Sequence, residues 1–273
     1  MQRREIAMTA DIHMHTSFST DSETPVEEMV EKAISCGMDT ICITDHQDYG
    51  LAKPGYFQVD PEAYWEKMEQ VRDAYRDRIR ILTGIEIGMH MDYRKEIDAF
   101  IHAYPFDFIL GSVHLVDGID PYDRALYPGT DDVMYRHYFE QTLECVRHID
   151  GFQSLGHLDY VVRYGYDRDV YSYEKYADVI DEILKELIAR GIALEVNTGG
   201  YKSGIGYPNP HPDVLRRYRE LGGERITLGA DAHNPAYIGY EFARAEKVIR
   251  DAGFREITIY VGKKPEILVI PSN

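Results

Sequence analysis

Residues 174–197 run EKYADVIDEILKELIARGIALEVN. Tyr176, Val179, Ile180, Ile183, Leu184, Leu187 and Ile188 recur there at i, i+3, i+4 and i+7, which gathers apolar side chains into one stripe of an α-helix. Gly191 follows, the residue type best suited to the left-handed turn that ends a helix. The apolar run at 192–197 then has the length of a buried strand. Outward from this unit the alternation repeats along the chain. Strands are predicted near 9–14, 40–45, 80–87, 107–113, 153–158, 192–197 and 226–231, with an extra one at 256–261. Helices are predicted near 25–36, 61–78, 94–103, 131–148, 174–189, 211–221 and 237–251. Consecutive strand–helix units imply a parallel sheet, because parallel neighbours need a crossover. No Ser/Gly-rich linker interrupts the pattern, so residues 1–273 are expected to form one α/β domain.

The 47 acidic and 30 basic side chains give a net charge of −17. Nucleic-acid binding depends on Lys and Arg releasing phosphate counterions, so a broad nucleic-acid surface is excluded, as is attraction to an anionic membrane. Residues 1–8 carry positive charge but no apolar segment follows, and no run approaches the roughly 18 apolar residues of a membrane helix. A cytoplasmic protein is therefore expected. Cys36, Cys42 and Cys145 have no CxxC spacing and read as packing residues.

Six of the eleven histidines, His13, His15, His46, His114, His157 and His233, fall at or just beyond predicted strand ends. In AspIleHisMetHis at 11–15 the two imidazoles are two residues apart on an extended segment and face the same side, a bidentate start for a divalent metal. ThrAspHis at 44–46, GlyIleGlu at 84–86, SerValHis at 112–114, GlyHisLeuAsp at 156–159 and AlaAspAlaHis at 230–233 each place a His or carboxylate where an α/β barrel has its active-site rim. Any one of these could be a core histidine or a capping acid; five at equivalent places argue for a site. His90, His102, His137, His148 and His211 fall elsewhere and are expected at the surface.

These motifs, in this order and over nearly the whole chain, resemble the polymerase and histidinol phosphatase superfamily of metal-dependent phosphoesterases, in particular its stand-alone histidinol-phosphatase branch. The resemblance implies a distorted seven-stranded (β/α)7 barrel, similar to a TIM barrel, with its metal site at the C-terminal ends of the strands. It also implies two or three divalent ions, zinc, iron or manganese. His13, His15, Glu86 and Asp231 match the first site. Glu86 would bridge to a second site with His114 and His157, and His46, His233 and Asp21 match the third. The activity implied is hydrolysis of L-histidinol phosphate, with attack by a metal-bridging hydroxide. Three dications (+6) against Asp21, Glu86 and Asp231 (−3) leave +3, a charge suited to a phosphate dianion.

Asp159, two residues after His157, is a candidate proton donor to the leaving group or a structural salt-bridge residue, and Asp45 should point away from His46 and serve a supporting or structural role. Arg163 and Lys202 are candidates for gripping phosphate oxygens, although a Lys offers a point charge rather than a bidentate fork. Tyr49, Tyr56, Tyr122, Tyr127 and Tyr201 are candidates to line the pocket, in loops near 47–60, 115–130 and 198–210. Other phosphoesters remain alternative substrates, and a non-catalytic metal-binding module is a further alternative. An amidohydrolase would need a strand-end Lys where this chain has Glu86.

Overall fold

The alternation of strands and helices wraps into a nearly closed ring. The computed structural model describes residues 9–53 and 55–270. Its strands are β1 (Ala10–Asp11), β2 (Thr40–Ile43), β3 (His46–Gln47), β4 (Arg80–Gly88), β5 (Phe108–Ser112), β6 (Ser154–Leu155), β7 (Ala193–Asn197) and β8 (Ile226–Gly229). Seven of them follow the order β1-β2-β4-β5-β6-β7-β8, all parallel, and the short β3 pairs alongside β4. Backbone bonds close the gap between first and last: Ile12 N donates to Leu228 O at 3.3 Å, Asp231 N to His13 O at 2.9 Å and His15 N to Ala232 O at 2.9 Å. Asp11 adds to this seam, its Oδ1 accepting from the Ala230 amide and its Oδ2 from that of Gly239.

Helices α1 (Val26–Ser35), α2 (Pro61–Tyr75), α3 (Arg94–Ala103), α4 (Asp131–His148), α5 (Ala177–Arg190), α6 (Gly199–Lys202), α7 (Pro212–Glu220) and α8 (Phe242–Asp251) lie along the connections. α5 buries Val179, Ile180, Ile183, Leu184 and Leu187, and it ends where Gly191 takes φ 67°. Burying these five side chains contributes on the order of 10 kcal/mol of gross transfer free energy, most of it offset by chain entropy. Residues 174–176 form a separate 3₁₀ turn. α8 starts at Phe242 rather than near 237, because Pro235–Tyr237 is a 3₁₀ turn and both Gly239 and Glu241 adopt positive φ.

Two strands are much shorter than expected. β1 and β6 leave the sheet after Asp11 and Leu155, so the histidines that follow are carried by irregular backbone curling over the barrel mouth. The extra strand is β9 (Glu256–Val261), and it pairs antiparallel with β10 (Lys264–Val269), which the sequence pattern did not suggest. β10 lies mostly exposed and opens on Lys264, Pro265 and Glu266, which leaves an apolar run of only Ile267 to Ile270 at its end. Ile259 and Tyr260 of β9 pack with Ala10, Ile12, Cys42, Leu82, Phe108, Leu110 and Ala193, filling the end of the barrel where the strands begin. The other end, where they finish, is left to polar groups.

Candidate metal centre

Nine side chains from around the ring meet at that end. Glu86, on β4, is fully buried, and its two oxygens face different partners. Oε2 lies 3.3 Å from His13 Nε2, 3.4 Å from His15 Nε2 and 3.1 Å from His46 Nδ1. Oε1 lies 3.3 Å from His114 Nε2 and 3.0 Å from His157 Nε2. Asp231, held at φ 55° just beyond β8, puts Oδ1 at 3.7 Å from His13 Nε2 and 3.5 Å from His15 Nε2. Asp21 comes from the loop after β1, and its Oδ2 sits 2.8 Å from His233 Nε2 and 3.7 Å from His46 Nε2. All nine predicted metal residues are thus gathered in one place.

The donor set suits cations. Glu86 Oε2 is buried with no hydrogen-bond donor in bonding geometry, although three imidazoles surround it. His13 Nε2 and His15 Nε2 face each other at 3.1 Å, an arrangement in which two ring nitrogens converge on one point. His15/His46/His233, His13/His15/Asp231 and His46/Glu86/His114 each bring three ligand atoms within 4.8 Å of one another. Burial pushes the Glu86 carboxyl up, but His13, His114 and His46 outweigh it and hold the group well below the usual carboxylate range. Burial opposes charge on His13 and on His114 as well. Glu195 and Glu86 nevertheless raise His13 well above its ordinary value, and Asp48 and Glu86 do the same for His114. His46, against the same burial, is raised to about 9 by Glu86 and Asp21.

Behind the ligands lies a ring of buried acids, of which sequence reasoning found Asp45 and missed Asp48 and Glu195. Asp48 accepts from His114 Nδ1 at 2.7 Å, and Glu195 accepts from His13 Nδ1 at 2.6 Å. Asp45, which was expected to face away from His46, takes the Thr16 amide at 2.6 Å and the Ser19 hydroxyl at 2.7 Å, and Ser19 Oγ lies 3.2 Å from His15 Nδ1. These three carboxylates offset the +3 expected from counting metals and their ligands alone. The signal in sequence was weak: Glu195 alternates into an otherwise apolar strand, ALEVN, where a charge is costly without a partner.

A cavity of about 680 Å³ opens over the cluster, lined by Asp21, His46, Glu86, His114, His157, Asp231 and His233 together with Arg163 and Lys202. Arg163 is buried beneath its floor, donating to Asp231 Oδ2 at 3.0 Å, Asn197 Oδ1 at 2.8 Å and Asn209 Oδ1 at 2.8 Å. Lys202 is exposed at the wall, with Nζ 4.7 Å above the Tyr237 ring. Tyr56 and Tyr122 line the cavity; Tyr49, Tyr127 and Tyr201 do not, and Tyr160 and Tyr164 take part instead, beside Asp120 and Asp123.

Asp159 corrects an expectation. The same-side rule for residues two apart holds only on an extended strand, and β6 ends at Leu155; Asp159 itself has φ −108° and ψ 33° and opens a 3₁₀ turn. Its carboxylate is fully buried away from the cavity and accepts from Tyr171 OH at 3.0 Å, the His211 amide at 2.7 Å and Asn209 Nδ2. It ties two loops together and is not among the residues that line the cavity.

Parallel strands whose C-terminal ends converge imidazoles and carboxylates on a buried carboxylate define a barrel enzyme of the metal-binding kind. The PHP domain family model matches residues 11–199, and the chain belongs to that family. It is 33% identical over 253 residues to the probable histidinol-phosphatase of Clostridium acetobutylicum, covering 92% of this chain and 96% of that one. It is likewise 33% identical to the histidinol-phosphatase of Lactococcus lactis, over 93% of this chain and 95% of that one. The crystal structure of histidinol phosphate phosphatase from Lactococcus lactis, complexed with zinc, L-histidinol and phosphate, superposes with a TM-score of 0.86 at 32% identity, covering 94% of this chain and 98% of the other. No helix among the described residues is long and apolar enough to cross a membrane.

Proposed function

We infer that the protein hydrolyses L-histidinol phosphate to L-histidinol and phosphate, with residues 1–273 acting as one domain. The observation that carries this reading is the convergence of His13, His15, Asp21, His46, His114, His157, Asp231 and His233 around a Glu86 whose two oxygens address different imidazoles. The substrate follows from the two histidinol-phosphatases at 33% identity and the Lactococcus structure with L-histidinol and phosphate. The ligand groups, which share His15 and His46, fit two or three divalent ions, drawn from zinc, iron or manganese. When bound, the ions supply charge for the phosphoryl oxygens and Lewis acidity that activates water near neutral pH.

The protein's own groups set the substrate's position. A guanidinium has five N–H groups, and Arg163 spends three of them on Asp231, Asn197 and Asn209, leaving two for a phosphoryl oxygen at the cavity floor. Lys202 adds a point charge at the wall. The far end of L-histidinol phosphate is cationic, and Asp120, Asp123, Tyr160 and Tyr164 offer it carboxylates and ring faces. Burial pushes the Asp120 carboxyl up from its ordinary value, a cost that an ammonium group opposite it offsets.

A substrate panel tests the reading: kcat/KM for L-histidinol phosphate should exceed that for sugar phosphates, nucleotides and phosphotyrosine. Slow, indiscriminate hydrolysis would refute the substrate and favour another phosphoester. Asp120→Asn should lower kcat/KM for L-histidinol phosphate about 10- to 100-fold, the worth of one charge-assisted bond. Its effect on p-nitrophenyl phosphate should be small, and equal losses on both would count against a role in selectivity.

Metal loading carries its own signature. His46 is raised to about 9 and His13 and His114 are shifted in the same direction, which favours protonated rings in the metal-free protein, and ligation requires them neutral. Adding zinc or manganese in weak buffer at about pH 7 should therefore release protons, and apparent affinity should rise with pH toward about 9. Saturation with no proton release, followed with an indicator dye, would contradict this ligand set.

A further inference from the structure

Glu195 lies at the centre of β7, 1% exposed, with each carboxylate oxygen committed to a different part of the cluster. Oε1 is 2.6 Å from His13 Nδ1. Oε2 accepts from the backbone amide of His157 at 2.8 Å and from Asn197 Nδ2 at 3.1 Å. A carboxylate can only accept, so the His13 proton must sit on Nδ1, which turns the Nε2 lone pair inward toward His15, Glu86 and Asp231. On the adjacent strand, the bond to the His157 amide pins the irregular backbone after β6, and so fixes the direction from which that imidazole approaches Glu86 Oε1. The neighbouring strand is shaped to allow this. A side chain at Gly229 would collide with His13 Cβ and lie 2.9 Å from Glu195 Oε1, so only glycine leaves the contact free.

We propose that Glu195 is a positioning residue that orients ligands of two metal positions at once, the ring of His13 in the first and the backbone of His157 in the second. The proposal rests on the metal-centre reading above. It singles Glu195 out from Asp48, which accepts from His114 of the second position but stays 3.8 Å from His46 Nδ1, beyond hydrogen-bond reach.

Glu195→Gln tests it. The glutamine amide can present one acceptor, but its NH₂ must then face a donor, either His13 Nδ1–H or the His157 amide. Metal titration of the purified protein, followed by calorimetry and elemental analysis, should show two ion equivalents weakened about 10- to 100-fold. The equivalent held by Asp21, His46 and His233 should be retained. A general loss of structure would weaken all three together and lower the thermal midpoint of the metal-free protein, and that result would overturn the proposal. So would a folded variant with unchanged affinity. If the variant does not fold, ¹⁵N spectra of the histidine rings in the unmodified, zinc-loaded protein decide the matter. A protonated His13 Nδ1 with zinc on Nε2 supports the proposal, and zinc on Nδ1 overturns it. Failure of the unmodified protein to bind any divalent ion would instead overturn the metal-centre reading itself.

Discussion

Glu86→Gln is expected to cost more than about 10³-fold in kcat/KM and to strip metal from the protein, because one substitution reaches every part of the cluster. The side chain keeps its volume, yet its charge is gone and one of its two oxygens becomes an NH₂. That NH₂ must face either His13, His15 and His46 or His114 and His157, together with the Ser112 hydroxyl that donates to Oε1 at 2.6 Å. Once the imidazoles turn their lone pairs toward metal, the side of His13, His15 and His46 offers no acceptor and the other side only the Ser112 oxygen. In the metal-free protein the same change removes the counter-charge of rings that hold protons, and breaking such a buried pairing costs about 3–5 kcal/mol. Elemental analysis beside steady-state kinetics checks both effects. A variant with full metal content and more than about a tenth of the activity would contradict the bridging role, since loss of a shared inner ligand should exceed the 10- to 100-fold seen for outer partners.

Arg163→Ala should come next in size, at about 10²–10³ in kcat/KM, the scale on which removal of one preorganised charge donor acts on a developing anion. Its loss also leaves Asp231, Asn197 and Asn209 without their common donor, so part of the effect will be structural. Arg163→Lys separates the two contributions. A lysine keeps a positive charge near Asp231 but cannot reach both asparagines and a phosphoryl oxygen in one plane. Stability should recover more than kcat does. Unchanged kinetics in Arg163→Ala, with only a lower midpoint of unfolding, would show that the guanidinium supports the floor and never meets phosphate.

Loop chemistry explains where expectations from sequence held and where they failed. His13 and His15 could be paired from spacing because the backbone carrying them, although past the end of β1, still runs parallel to residues 228–232, with Met14 bridged to Ala232. The same argument failed two residues beyond His157, where the chain had already left the sheet and a 3₁₀ turn swung Asp159 into the protein. Tyr160 and Tyr164 were passed over because they lie on that unforeseen turn, which delivers both to the cavity beside Arg163. Asp48 and Glu195 lacked any motif; each is defined by a histidine 66 or 182 residues away.

What the sequence determined by itself was therefore local. The 3.6-residue stripe of α5, the glycine at its end, the short apolar runs and the His or carboxylate closing each run follow from side-chain periodicity and backbone preference, which act over a few residues. Tertiary structure decided the rest: that β1 meets β8, that Glu86 divides its oxygens between two sets of imidazoles, and that Glu195 spans His13 and His157. These depend on ring closure, which sets distances between residues remote in the chain. Buried charges so placed persist only because each finds its partners across that ring.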